Sequence, residues 1–283
     1  MTLLPQKVGV LGGGRMGAGI AHAFLISGSQ VTVVERDPQA AEAARERLEA
    51  DLAQSLERGA IDGNLDIWAE NLTVSVAQED FSSCELVVEA VPENWDLKVA
   101  SLRSVESYLS EGAWLASNTS SLSIDGLAAE LEAPERFCGL HFFNPVPASR
   151  LVEVVQGQQT AKELRSLAPA WVEALGKTPV VVNDAPGFAS SRLGVAIALE
   201  AIRMVEEGVA APEDIDNAMV LGYKFPIGPL ALTDIVGLDV RLGIAEYLES
   251  QLGERFTPPQ LMREMVARGE LGRKSGKGFY DYS

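Results

Sequence analysis

Histidine and cysteine are nearly absent from this sequence, with two of each among 283 residues. Any imidazole chemistry therefore rests on His22 or His141. Cys84 and Cys138 have no metal-ligand spacing and are too few for a disulfide framework, so two buried thiols in a reducing compartment are expected. Basic residues are also scarce. Against 40 Asp and Glu stand 23 Lys and Arg, a net charge of −17. That balance argues against nucleic acid and anionic membrane as partners, since both need a basic face. No apolar run reaches the ~18 residues of a membrane helix. The opening segment from Met1 to Lys7 lacks the basic-then-apolar order of a signal peptide, so a cytoplasmic location is expected. The hydrophobic share of 47% and charged share of 22% fit a globular protein, with length for one large domain or two modest ones.

Patterning along the chain indicates how that length is used. Short apolar, β-branched runs at 7–11, 30–34, 72–76, 85–88, 113–116 and 151–155 read as strands. Stretches at 18–25, 39–56 and 95–109 read as helices. Such alternation implies βαβ units and a parallel sheet covered by helices on both faces. The pattern changes at Asn183-Asp184-Ala185-Pro186-Gly187, where Pro and Gly break the chain. Helical stretches at 189–207, 212–221, 230–251 and 259–268 follow, with no strand run. The expected organisation is an α/β domain over 1–184 and an all-helical domain over 185–283.

Gly12-Gly13-Gly14-Arg15-Met16-Gly17 fits G-x-G-x-x-G. It follows a strand, opens a helix, and is followed 23 positions after Gly12 by the acid Glu35 (35 − 12). This context makes the hexamer a dinucleotide fingerprint rather than a chance Gly-rich turn. Gly12 permits the tight turn, Gly14 admits a pyrophosphate close to the backbone, and Gly17 lets the helix pack on the strand. The amides of the helix N-terminus, at Arg15 and Met16, then face the phosphates. A carboxylate at Glu35 accepts from the ribose hydroxyls and repels a 2′-phosphate, which favours NAD over NADP. The α/β domain is thus expected to be a Rossmann-like, doubly wound, mostly parallel sheet.

Of the two histidines, His22 lies within the helix after the Gly turn and reads as a packed residue. His141 sits at the end of a strand-like run and before Asn144-Pro145-Val146-Pro147. The returning run 151–155 contains Glu153. A hairpin centred on residue 147, the midpoint of 141 and 153, places His141 opposite Glu153, within hydrogen-bond reach. A carboxylate fixes the tautomer of an imidazole and suits it to act as a general base toward an alcohol. The same spacing also fits a purely structural His–Glu pair. Ser117-Asn118-Thr119-Ser120-Ser121 follows a strand whose carboxyl end faces the ligand crevice of such a sheet. Its hydroxyls suit either substrate contact or a helix N-cap.

Together with Val88-Glu89-Ala90-Val91-Pro92-Glu93-Asn94, His141-Phe142-Phe143-Asn144-Pro145, Phe225-Pro226-Ile227-Gly228-Pro229 and Lys274-Ser275-Gly276-Lys277-Gly278-Phe279-Tyr280, these segments make the chain resemble the 3-hydroxyacyl-CoA dehydrogenases from about residue 5 onward. The resemblance implies NAD-dependent, reversible oxidation of a 3-hydroxyacyl-CoA by a cytoplasmic homodimer. The helical domain would supply the dimer contact and close the substrate cleft. The resemblance makes His141 the catalytic base, Glu153 its partner and Ser120 a substrate contact. It makes Glu93, Lys98, Asn144 and Lys274 cofactor contacts and gives Arg58 the place of a CoA-binding cation. Asp51 takes the place of a CoA-binding serine, and no role follows for it. Ser191 stands where the family carries a substrate-binding asparagine. That departure keeps open a catalytically weakened dinucleotide-binding protein, beside a related dehydrogenase of a non-CoA hydroxy acid.

Overall fold

The computed structural model describes residues 4–62 and 65–282 and divides into two compact units, Met1–Ala185 and Pro186–Ser283. In the first unit the elements run β1 (Lys7–Leu11), α1 (Arg15–Ile26), β2 (Gln30–Val34), α2 (Pro38–Glu57), α3 (Leu65–Ala69), β3 (Leu72–Ser75), β4 (Leu86–Glu89), α4 (Trp95–Glu106), β5 (Trp114–Ser117), α5 (Ile124–Ala128), β6 (Phe137–Phe142), β7 (Leu151–Gln156), α6 (Lys162–Ala174) and β8 (Thr178–Asn183). The strands form one sheet ordered β3-β2-β1-β4-β5-β6-β7-β8. Every neighbouring pair is parallel except β6 with β7.

The central strands β1 and β4 are buried on both faces, which is why VGVL and LVVE carry no polar alternation except at Glu89. The chain winds from β1 outward through β2 to β3, then returns to β4 on the other side of β1. That reversal opens a crevice at the carboxyl ends of β1 and β4. Helix α2 starts where Asp37 accepts from Ala40 N (2.7 Å) with Pro38 at the first helical position. Helix α1 presses against the β6–β7 turn, since a Cβ at Gly19 would lie 2.8 Å from Val146.

Residues 157–183 are unassigned by the sequence patterns, yet they hold α6 and β8. Each contains a proline, Pro169 inside the helix and Pro179 in the strand, which disguises both periods. Strand β8 is an edge strand in which Pro179, Val180 and Val182 are partly covered.

The second unit consists of α7 (Ser190–Glu206), α8 (Pro212–Asn217), α9 (Pro229–Val236), α10 (Leu238–Leu252) and α11 (Gln260–Ala267). The single helix expected over 230–251 is instead two, broken at Gly237, whose φ of +103° no helix accommodates. Val195, Leu199, Ile202, Leu230, Leu248 and Met262 form its core. Two buried carboxylates hold the last segment against this core. Asp234 accepts from Phe279 N, Tyr280 N and the Tyr282 hydroxyl, each at 3.0 Å. Asp216 accepts from Leu230 N (2.8 Å), Ala231 N (2.9 Å) and the Tyr280 hydroxyl (2.8 Å). No helix of the described residues is long and apolar enough to cross a membrane.

His22 is packed, as its helical setting suggests. It is 1% exposed, with Nε2 2.8 Å from Ser55 Oγ on α2 and Nδ1 without a partner. Burial pulls its pKa below the ordinary 6.5. Nearby Asp51 opposes the shift and Lys177 adds to it. The unfolded chain therefore takes up this proton at a higher pH than the native one. The ring's effect on stability is nil above about pH 6.5 and turns unfavourable as the pH falls below it. His22→Gln is expected to flatten the fall in melting temperature between about pH 6.5 and pH 5. A wild-type slope in that window would show that another group causes it.

Candidate active site

The Gly turn has the shape a dinucleotide requires. Gly12 adopts φ +90° and donates to Val34 O (2.8 Å), tying the turn to β2. A Cβ at Gly17 would lie 1.7 Å from Gly12 O, so helix and turn approach as closely as backbones can. A Cβ at Gly14 would meet nothing within 4 Å, leaving open space over the turn. Helix α1 has no side-chain cap and no acid in its first turn, so its leading amides are available to an anion. Glu35 Oε1 accepts from Gly13 N (2.7 Å) and Oε2 from Arg36 N (3.1 Å). One lone pair on each oxygen is left for ribose hydroxyls. Arg47 Nη1 donates to Gly13 O (2.7 Å) and braces the turn from α2. These residues fit NAD.

Beyond β4 lies a buried polar chain. Glu89 is fully buried, with Oε1 accepting from Lys98 Nζ (2.7 Å) and Val91 N (2.6 Å) and Oε2 from Ser117 Oγ (2.6 Å). Lys98 is 1% exposed and also donates to Val91 O (3.1 Å), with Glu93 Oε2 at 3.4 Å. Glu93 Oε1 then gathers the Ser-rich loop. It accepts from Thr119 Oγ1 (2.7 Å), from Ser120 N (2.9 Å) and Oγ (3.1 Å), and from Ser121 N (3.1 Å) and Oγ (3.0 Å). Burial pushes the Glu93 carboxyl up, but the Lys98 ammonium and these hydrogen bonds outweigh it and hold the group below the usual glutamate range. The helix cap considered for this loop belongs to a later residue. Ser123 Oγ accepts from Gly126 N (2.9 Å) and donates to Asp184 Oδ2 (2.6 Å).

The β6–β7 register pairs His141 with Glu153, and His141 Nδ1 lies 2.8 Å from Glu153 Oε2. Both side chains are buried, and the Phe143 ring lies tilted against the imidazole with centroids 4.3 Å apart. Ser117 pairs with Gly139, and Asn118 Oδ1 accepts from Phe142 N (2.8 Å), so His141 lies level with the Ser-rich loop. Lys177 Nζ donates to Val146 O and Ser149 O, both at 2.6 Å, and fastens the intervening turn that carries exposed Asn144.

Residues 7–185 match the model of the 3-hydroxyacyl-CoA dehydrogenase NAD binding domain, and residues 187–282 match that of the 3-hydroxyacyl-CoA dehydrogenase C-terminal domain. The chain belongs to the 3-hydroxyacyl-CoA dehydrogenase family. It is 42% identical to a probable 3-hydroxybutyryl-CoA dehydrogenase of Bacillus subtilis (strain 168), over 98% of this chain and 97% of that one. It is 40% identical to a 3-hydroxybutyryl-CoA dehydrogenase of Mycobacterium tuberculosis (strain H37Rv), over 98% of both. The crystal structure of (S)-3-hydroxybutyryl-CoA dehydrogenase from Ralstonia eutropha superposes with a TM-score of 0.93 at 39% identity, covering 99% of each chain.

In this 3-hydroxyacyl-CoA dehydrogenase, the sheet unit brings together the Gly turn with Glu35, Glu93 with Lys98 and Ser120, and His141 with Glu153. Arg58 stands apart, exposed at the end of α2. Ser191 and Lys274 belong to the helical unit. Ser191 is the second residue of α7, and Lys274 donates to both oxygens of Asp239, the longer contact at 2.7 Å. Sequence reasoning missed the roles of Glu89 and Lys177, and Ser117, read with its loop as a substrate contact or helix cap, donates to Glu89. Glu89 had a signal, a lone acid ending an otherwise apolar strand; Lys177 had none. Neither cysteine can supply a thiolate, since burial pushes Cys84 to about 11 and Cys138 to about 12.

Removing one partner of a buried ion pair strands the other charge. Lys98→Met is expected to lower unfolding stability by roughly 3–5 kcal/mol, measured by urea denaturation. Adding Glu89→Gln to it should restore part of that loss. A double variant no better than additive would separate Glu89 from Lys98 energetically.

Proposed function

We propose that the protein interconverts a 3-hydroxyacyl-CoA and the corresponding 3-ketoacyl-CoA, with NAD as the redox partner. The buried His141–Glu153 pair, level with the Ser-rich loop at the carboxyl edge of the sheet, carries this reading. Glu153 holds the proton of His141 on Nδ1, which makes Nε2 the accepting nitrogen of the ring. In the oxidative direction Nε2 takes the proton of the 3-hydroxyl, and Glu153 stabilises the imidazolium that results. In the reductive direction the imidazolium returns it. When bound, NAD accepts the hydrogen and two electrons released from C3.

The family resemblance supports the remaining roles. Gly12, Gly14 and Gly17, with the amides of Arg15 and Met16, hold the pyrophosphate, and Glu35 holds the adenosine ribose. Glu93 and Asn144 meet the nicotinamide half, with Lys98 buried behind Glu93 to hold its carboxylate in place. Ser120 orients the reacting oxygen, and Ser191, at the family's asparagine position, keeps one hydroxyl for the substrate. Lys274 contributes to cofactor binding, and Arg58 meets the phosphates of CoA. Exposed Leu193, Leu221 and Tyr223 on the helical unit support a homodimer built through that unit. The two free, buried thiols support a reducing, cytoplasmic setting.

His141→Gln is expected to lower kcat by roughly 10²–10⁴, with NADH affinity unchanged in a fluorescence titration; near-normal turnover would remove the imidazole from the chemistry. Glu153→Gln keeps the shape of the pair but loses the carboxylate charge, so a smaller fall in kcat without a change in KM for NADH is expected. NADH oxidation against 3-ketoacyl-CoAs of increasing length, compared with free 3-keto acids, tests the substrate class. Turnover of the free acids alone would replace CoA esters by small hydroxy acids.

A further inference from the structure

Arg47 lies midway along α2, where that helix meets the Gly turn. A Cβ at Gly13 would stand 2.4 Å from Ala44 Cβ, so this face of α2 presses on the turn. Arg47 follows Ala44 by three residues and shares that face. Its Nη1 donates to Gly13 O (2.7 Å). Gly13 N in turn donates to Glu35 Oε1 (2.7 Å). One glycine of the turn is thus held by a carboxylate at its amide and a guanidinium at its carbonyl.

Among the described residues, the Gly13 carbonyl is the one acceptor of the Arg47 guanidinium, and no carboxylate lies within ion-pair distance of it. Asp51 follows four residues later, a spacing at which helices pair opposite charges, yet the two do not meet. Arg36, the cation beside Glu35, differs in being engaged by Asp37 at 3.0 Å. The Arg47 side chain is exposed, so its charge is open to a solute. A neutral donor could brace the turn as well as a guanidinium does. The charge adds something else, a positive field beside the uncapped, acid-free first turn of α1. In a chain of net charge −17, such a field has to be supplied locally.

We infer that Arg47 is a further cofactor-binding residue, whose guanidinium supplies positive charge to the pyrophosphate of NAD while one of its N–H groups fixes the turn. This rests on the reading above that the Gly turn holds the pyrophosphate. The two groups on Gly13 then take opposite tasks. Glu35 at the amide accepts from ribose hydroxyls, and Arg47 at the carbonyl offsets phosphate charge. Every residue involved belongs to the sheet unit. Two substitutions separate charge from bracing. Glutamine keeps a donor for Gly13 O without the charge, and lysine keeps the charge without the planar fork.

Fluorescence titration of wild type, Arg47→Gln and Arg47→Lys with NADH, and its displacement by ADP-ribose or adenosine, test the assignment at several salt concentrations. Arg47→Gln is expected to weaken NADH and ADP-ribose binding about tenfold, the loss of one charge-assisted contact. Adenosine, which has no phosphate, should bind as it does to wild type. The fall of NADH affinity with added salt should be shallower in Arg47→Gln, because one screened attraction is gone. Arg47→Lys should recover most of the affinity and of the salt dependence. Unchanged NADH affinity in Arg47→Gln overturns the inference. So does an equal loss for ADP-ribose and adenosine with the wild-type salt dependence, which would leave Arg47 as a brace of the turn alone. A defect confined to KM for acetoacetyl-CoA, with NADH binding intact, also overturns it and would assign the guanidinium to the phosphates of CoA. Failure of wild type to bind any of the three ligands overturns the reading of the Gly turn, and this inference with it.

Discussion

A carboxylate taken out of water must be given hydrogen bonds by the chain around it, and this acidic protein is organised by that requirement. Glu89 draws Lys98, Val91 N and Ser117 toward one point at the end of β4. Glu93 closes the Ser-rich loop around a single oxygen. Glu153 fixes the orientation of the imidazole. Each carboxylate ties separate segments together, and together they shape the carboxyl edge of the sheet. The same logic recurs in the helical unit at Asp216 and Asp234.

A protein of net charge −17 that binds anionic cofactors has to create local attraction against its own field. The structure does so with dipoles and a few placed cations rather than a basic surface. The uncapped start of α1 contributes amides, and Gly14 leaves the approach open. Glu35 is repulsive to phosphate but favourable to hydroxyls, so one short turn and one strand end distinguish the two ends of a nucleoside phosphate. Several cations are held in ion pairs, as Lys98 is by Glu89 and Lys274 by Asp239.

Much of the sheet unit was readable because its signals are local. The Gly turn is a six-residue pattern, Glu35 ends the strand after it, and the strand period sets His141 across from Glu153 once the turn is located at Pro147. What escaped depends on long-range contact or on breaks that resemble continuation. Gly237 lies within an apolar helical pattern and reveals the end of α9 only through its backbone angle. Pro169 and Pro179 hide a helix and a strand whose positions are set by packing on β7. Lys177 looks like any surface lysine until the fold brings Val146 O and Ser149 O to it.

The clasp around Asp216 and Asp234 sets an order of events during synthesis. The strands, helices and polar hubs of the sheet unit lie within Met1–Ala185, so that unit has all its parts early. The helical unit does not. Tyr280 is made 64 residues after Asp216, and Phe279 45 residues after Asp234. Until those donors leave the ribosome, Asp234 lacks the amides of Phe279 and Tyr280 and the Tyr282 hydroxyl, and Asp216 lacks the Tyr280 hydroxyl. The helical unit is therefore the later of the two to settle, and a nascent chain stalled before residue 279 would carry a finished nucleotide fold beside an open helical one.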